Sequence, residues 1–178
     1  MEIFDYIVIG AGAAGCVMAN RLTKDDAATV CVLEAGGEDR HPFIHIPAGF
    51  VKTLYGDKFV WPFETEPSVF IGGRSISVPQ GKVVGGSSSV NGMVYNRGQR
   101  ADFDTWAQMG NRGWGFDDLV PYFKRSERRL GPGDDRFRGR DGELPITDMD
   151  WINPLAEAFL DAAEGLGIPR TTDYNAGF

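Results

Sequence analysis

An α/β fold opening on a dinucleotide-binding unit is predicted by three observations. Residues 4–9 form an apolar, β-branched and aromatic run that suits a strand. Glycines follow at positions 10, 12 and 15, where a tight turn into a helix needs them. Glu34 then closes a second apolar run, about 20 residues past the last of these glycines, where such units carry an acid.

Each element has its own reason. The unbroken apolar character of Phe4–Ile9 predicts a strand covered on both faces of a parallel sheet. Ala13–Leu22 reads as a helix and Thr29–Leu33 as the second strand. Gly10 permits the turn out of the strand, Gly12 lets a pyrophosphate approach the backbone, and Gly15 lets the helix lie close to the strand. The helix N-terminus offers unpaired N–H groups and a partial positive charge to phosphates. Glu34 is placed to accept hydrogen bonds from a ribose 2′-OH and to repel a 2′-phosphate, which disfavours an NADP-type ligand. These residues do not choose between FAD and NAD, which share the same ADP moiety.

Composition narrows the function. The chain has 178 residues, 42% hydrophobic and 24% charged, values ordinary for a globular domain. Its net charge of −7 argues against a nucleic-acid partner, which would need a surplus of Lys and Arg on one face. No stretch approaches the ~20 apolar residues of a membrane span. The N-terminus "MEIFDYIVIG" lacks the basic flank of a signal peptide, and the reduced state expected of the two cysteines points to a cytoplasmic location. Cys16 and Cys31 sit in apolar elements without metal-ligand spacing and are expected to be buried, reduced thiols. His41 and His45 flank Pro42, which opposes a metal-binding helix face, so no metal site is expected and both are read as loop residues.

A second region, "GKVVGGSSSVNGMVYNRG" (residues 81–98), is poor material for a strand interior and suits a loop passing close to a ligand. Ser87–Ser89 are placed to cap a short helix and to present hydroxyls and N–H groups to a phosphate or a flavin ring. Val83, Val84, Val90, Met93 and Val94 give the segment apolar flanks that a solvated linker does not need.

With these residues in view, the chain resembles the glucose-methanol-choline (GMC) family of flavoprotein oxidoreductases. The resemblance rests on "YIVIGAGAAGCVMANRL", "VLEAGGED", "VWPFETEP", "GWGFDDLVPYFKRSE" and the run Gly81–Asp104, which fits the family's signature throughout. It implies FAD rather than NAD. Gly10, Gly12, Ala13, Ala14 and Gly15 are then expected along the pyrophosphate, with Glu34 and Ala35 at the adenosine ribose. Val84, Gly86, Ser87, Asn91, Gly92, Met93 and Val94 are expected to line the flavin end, the backbone of Asn91–Val94 first in importance. Some family members attach FAD through a histidine directly before this Asn; Val90 stands there, so a non-covalent flavin is expected.

The same resemblance implies oxidation of an alcohol by hydride transfer to flavin N5. The family's catalytic histidine lies near the C-terminus of a much longer chain, and nothing in residues 1–178 matches it. No catalytic residue is therefore expected here, and the chain, which stops at "TTDYNAGF", is expected to be incomplete. Its expected partner is the C-terminal remainder of the same protein, as a second polypeptide. The domains expected are a Rossmann-like FAD-binding domain over residues 1–145 and the start of an α+β substrate-binding domain over 146–178. Three alternatives stay open: an NAD-dependent dehydrogenase, a non-catalytic FAD-binding fragment, and a family member with other chemistry, a fatty-acid photodecarboxylase or hydroxynitrile lyase.

Downstream, Asp102–Met109 is expected to be helical, as is a segment from near Asp117 that places Pro121 in its first turn. Trp106, Trp114, Tyr122 and Phe123 are expected in the core. Residues 124–143 carry seven basic and five acidic side chains and read as a solvated excursion. "GELPIT" reads as a strand. Asn153–Leu166 reads as an amphipathic helix with Leu155, Phe159, Ala162, Ala163 and Leu166 on one face.

Overall fold

The computed structural model describes residues 2–176; Met1, Gly177 and Phe178, the last two within the expected 146–178 segment, lie outside the described residues. The chain divides into two compact units, Met1–Val94 and Tyr95–Phe178. The expected boundary at 145/146 falls inside the second unit, where it cuts a strand.

The first unit opens with β1 (Tyr6–Ile9), α1 (Ala13–Leu22) and β2 (Val30–Leu33). β1 and β2 pair in parallel from Tyr6 opposite Val30 to Ile9 opposite Leu33. The register is locked where the strands begin. Thr29 donates from its backbone N and its Oγ1 to Asp5 Oδ2, both at 2.8 Å, while Asp5 N and Tyr6 N donate to the Thr29 carbonyl. These hydrogen bonds, the one from the Thr29 backbone first, hold the Asp5 carboxyl below its ordinary range.

Two expectations fail here for one reason. The sheet has two strands with α1 packed on it, so β1 is not covered on both faces: Ile7 is 64% and Ile9 87% exposed. Helix α1 buries no residue; Cys16 is exposed and Cys31 half-buried, though both are free thiols as expected.

The unit continues through the short helices α2 (Pro42–His45) and α3 (Phe50–Thr53) to an antiparallel hairpin, β3 (Val60–Glu64) and β4 (Ser77–Gly81). Pro62 faces Pro79 across the hairpin, which is possible because a two-stranded ladder leaves both strands as edges. A buried cluster forms from Val60, Val83 and Val90, with Ile44, Leu54 and Phe59 against it. His41 caps α2, its Nδ1 accepting from Phe43 N at 3.2 Å.

The second unit holds α4 (Arg100–Gln108), α5 (Phe116–Ser126), the parallel pair β5 (Glu127–Arg129) and β6 (Leu144–Ile146), and α6 (Pro154–Gly165). A capping box starts α4: Asp102 Oδ2 accepts from Gln99 N at 2.7 Å. Helix α5 starts at Phe116, whose N–H Asp104 Oδ1 accepts at 3.0 Å. Pro121 therefore lies inside the helix rather than in its first turn, and Asp117 forgoes the intrahelical bond a residue at 121 would donate. Arg100 grips Asp117 with two bonds of 2.7 and 2.9 Å, which hold that carboxyl below its usual range.

Residues 124–143 are not a solvated excursion. Glu127, Arg129 and Arg138 are buried, and Glu127 is paired by both Arg97 and Arg138. Arg129 reaches Asp148 at 2.6 and 2.7 Å. The expected aromatic core also differs: Trp106, Trp114 and Tyr122 are exposed, Phe123 is half-buried, and Phe116 is fully enclosed. Asn153 caps α6 by accepting from Leu155 N at 2.9 Å, and the helix leaves Leu155, Phe159 and Leu166 exposed.

Candidate cofactor site

Three loops of the first unit meet around Ala11. The turn after β1 needs Gly10, whose φ of +94° is left-handed, and Gly10 N donates to the Leu33 carbonyl at 2.7 Å. A Cβ on Gly15 would run into the Gly10 carbonyl and lie 3.3 Å from Val8 Cγ1. Gly15 is thus needed for helix-to-strand contact, as its spacing predicts. A Cβ on Gly12 would meet only the Gly86 Cα, at 3.9 Å. Among the described residues, nothing else crowds that face of the turn.

The second loop follows β2. Glu34 Oε2 accepts from Ala11 N at 2.7 Å and Oε1 from Gly36 N at 2.8 Å. Gly36 lies against the Lys82 carbonyl so closely that any Cβ would overlap it. Gly37 accepts from Val84 N at 2.9 Å and forms a parallel bridge with Val83.

The third loop is the glycine and serine run. Gly85 N donates to the Ala11 carbonyl at 2.7 Å, and Gly85 bridges Gly12 in parallel. Gly85 and Gly86 are both left-handed, at φ +90° and +58°, and Gly86–Ser89 forms one 3-10 turn. The serine hydroxyls do not turn outward as donors. Ser87 Oγ accepts from Gly81 N at 2.9 Å and donates to Gln80 Oε1 at 3.2 Å; Ser88 donates to the Gly85 carbonyl and Ser89 to the Val84 carbonyl. They stiffen the loop that carries the backbone.

The residues expected at the pyrophosphate and ribose (Gly10, Gly12, Ala13, Ala14, Gly15, Glu34 and Ala35) and Val84, Gly86 and Ser87 of the expected flavin end lie on these three loops and the first turn of α1. Asn91–Val94 do not share the network: among the described residues, no hydrogen bond joins them to the glycine turn. Asn91 Oδ1 accepts from Met93 N at 2.8 Å, which holds Met93 at φ +59° and commits that N–H within the loop. Gly92 lies by the Phe50 ring, and Met93 and Val94 are exposed. Val90 is 2% exposed within the buried cluster, so its side chain faces inward. Ala11, Gly36, Gly37 and Gly85 escape a reading by motif, because they act through backbone N–H and C=O groups that any residue carries; the paired glycines were the available signal.

Parallel strands joined through a glycine turn and a helix, with a carboxylate braced against that turn, define an α/β protein. The chain belongs to the GMC oxidoreductase family, whose model matches residues 4–177. It is 45% identical over 175 residues to the oxygen-dependent choline dehydrogenase of Photobacterium profundum, covering 97% of this chain and 30% of that protein. It is 46% identical over 173 residues to the enzyme of the same name from Rhizobium rhizogenes, with 97% and 31% covered. Among solved structures, pyridoxine 4-oxidase from Mesorbium loti aligns with a TM-score of 0.87 at 38% identity, over 97% of this chain and 34% of that one. An FAD-dependent oxidoreductase from Chaetomium thermophilum aligns at 0.83 and 32% identity, over 98% and 32%. The chain thus spans about a third of the length of the relatives it matches. Among the described residues, no helix is long and apolar enough to cross a membrane.

Proposed function

We propose that this chain is the FAD-holding part of a GMC oxidoreductase that acts on the CH–OH group of a small alcohol. The observation that carries the reading is the meeting of three backbone loops at Ala11: Glu34 on its N–H, Gly85 on its carbonyl, and the open face of Gly12 beside them. The residues fit the group. In the first turn of α1, Ala13 and Ala14 have N–H groups without helical acceptors, which suits a pyrophosphate against Gly12. A carboxylate oxygen that accepts one N–H keeps a lone pair for a ribose hydroxyl, so Glu34 and the adjoining Ala35 suit the adenosine end. Val84, Gly86, Ser87 and Asn91–Val94 are assigned to the flavin end, and the buried Val90 supports non-covalent binding.

When bound, FAD supplies an acceptor for the hydride that leaves the alcohol carbon. The work of this chain is to bind and orient: the glycine turn would hold the phosphates, and the backbone of Asn91–Val94, which follows the stiffened 81–89 loop, is assigned to the ring, where reduction places negative charge. The base that takes the hydroxyl proton is assigned to a histidine on the C-terminal remainder, a second polypeptide or a continuation. The one-third coverage of the relatives supports that assignment. A cytoplasmic location completes the reading.

The test is to purify the protein from its complete reading frame, record its visible spectrum, precipitate it in acid and weigh it intact. The reading expects flavin absorbance, all flavin released to the supernatant, and anaerobic bleaching by an alcohol. A colourless protein that binds NAD instead ends it.

A further inference from the structure

The Glu34 carboxylate does more than face outward from the end of β2. Both of its oxygens are committed to backbone: Oε2 to Ala11 N at 2.7 Å and Oε1 to Gly36 N at 2.8 Å. Ala11 is only 7% exposed, and its carbonyl receives Gly85 N at 2.7 Å. A second route leaves by Gly36, since the next carbonyl, that of Gly37, receives Val84 N at 2.9 Å. The two routes end on adjacent residues, Val84 and Gly85, at the entrance to the 3-10 turn Gly86–Ser89. Glycine geometry leaves these routes little slack: Gly36 presses on the Lys82 carbonyl, and a Cβ on Gly86 would lie 2.8 Å from the Gly12 Cα.

We infer that Glu34 is a positioning residue that couples the adenosine end of the site to the loop at its flavin end, through Ala11 and Gly37. The inference deepens the flavin reading and rests on it. The chemistry requires an anion. A carboxylate accepts two converging N–H groups and keeps lone pairs for a ligand. A Gln side chain turns its NH2 toward either Ala11 N–H or Gly36 N–H, leaving one donor unpaired. Ribose recognition alone makes no such demand, because a hydroxyl pairs with either end of an amide.

Amide hydrogen exchange with ADP as the probe separates the two roles, since ADP carries the ribose and pyrophosphate but no flavin. In the protein from its complete reading frame, ADP is expected to slow exchange in residues 83–87, beyond the adenosine end. Before any ligand is added, Glu34→Gln is expected to speed exchange in the same residues by about tenfold, the scale of one strong hydrogen bond. Residues 60–64 of β3 report on the fold and are expected to stay unchanged. The variant's FAD affinity is expected to fall by a larger factor than its ADP affinity. If Glu34→Gln does not fold, Glu34→Asp, which keeps the charge and shortens the reach, is read in the same way. ADP binding that leaves residues 83–87 untouched, or equal losses for ADP and FAD in a folded variant, overturns the coupling. Failure of both ADP and FAD to bind removes the flavin reading itself.

Discussion

Gly86 meets Gly12 backbone to backbone: a Cβ on Gly86 would stand 2.8 Å from the Gly12 Cα, a distance side chains do not reach without something shifting. The contact joins the glycine and serine loop to the glycine turn, and it is supported by the hydrogen bond from Gly85 to Ala11 beside it. Gly86 also has a φ of +58°, so any L side chain there is strained before it collides.

Gly86→Ala is therefore expected to lower stability by about 1–3 kcal/mol through left-handed strain and displacement of the Gly12 backbone. Because the displaced atoms belong to the proposed pyrophosphate turn, flavin should be lost with stability. Thermal melts with and without added FAD check this. The variant should show both a lower midpoint and a smaller rise on FAD addition, whereas a purely structural defect lowers the midpoint alone.

Gly12 and Gly15 are expected to separate binding from folding. Gly12 is extended at φ −76°, a conformation open to any residue, and its Cβ would make one ordinary contact, 3.9 Å from the Gly86 Cα. Gly12→Val should cost the protein about 1 kcal/mol or less, the ordinary effect of replacing a helix N-cap glycine, yet abolish flavin retention because the branched side chain fills the phosphate position. Gly15→Val drives a Cβ into the Gly10 carbonyl and should prevent folding of the β1–α1 unit. Circular dichroism and bound-flavin absorbance of the two variants give the answer; retained FAD in Gly12→Val removes the pyrophosphate assignment.

Acid should loosen the start of β1 and β2. The Asp5 carboxyl is held below its ordinary range, first by the hydrogen bond from the Thr29 backbone. A carboxylate with a depressed folded value contributes stability that is fully present above its unfolded value and is lost as pH falls through the folded one. The lock therefore holds at neutral pH and opens below the usual carboxylate range. The protection of Thr29 N–H, measured against the intrinsic exchange rate at each pH, should fall on acidification, and Asp5→Asn should show the lower protection already at pH 7, with little further change in acid.

The legible parts of this fold were those decided locally. Helix α1 falls at Ala13–Leu22, as the spacing predicts, because a left-handed Gly10 and the close approach at Gly15 fix where it starts. Proline hid β3 and β4: Pro62 and Pro79 argue against a strand in isolation and are tolerated only because each faces the other across an edge pair. An apolar pattern does not fix burial at Cys16, Ile9 and Trp114, since a pattern says which face is apolar and not what covers it. In the candidate site, Gly10, Gly12, Gly15 and Glu34 stand out by residue type and spacing. Ala11 does not, because its contribution is one N–H and one carbonyl placed by loops far apart in sequence. The serines lie on the loop that reaches Ala11 but serve it differently than expected, since their hydroxyls close on the loop's own backbone and on Gln80.

The charged run at 124–143 leads to the last prediction. Glu127 is fully buried, and both Arg97, at 4% side-chain exposure, and Arg138, at 3%, pair with it. Arg138 also lies 3.6 Å from Asp173, and Arg97 Nη1 donates to the Phe137 carbonyl at 2.6 Å. Two buried guanidinium groups thus depend chiefly on one carboxylate for their charge balance. Glu127→Gln keeps the shape and removes the charge, so it should cost about 3–5 kcal/mol, the scale for stripping one partner from a desolvated pair. Removing all three charges together, in Arg97→Met/Glu127→Leu/Arg138→Met, should cost less than the single change, because the one charge then left without its partner is Asp173, whose side chain is 20% exposed. Urea midpoints of the single and triple variants decide the matter: a triple variant less stable than Glu127→Gln would show that the cluster contributes net attraction beyond balancing its own desolvation.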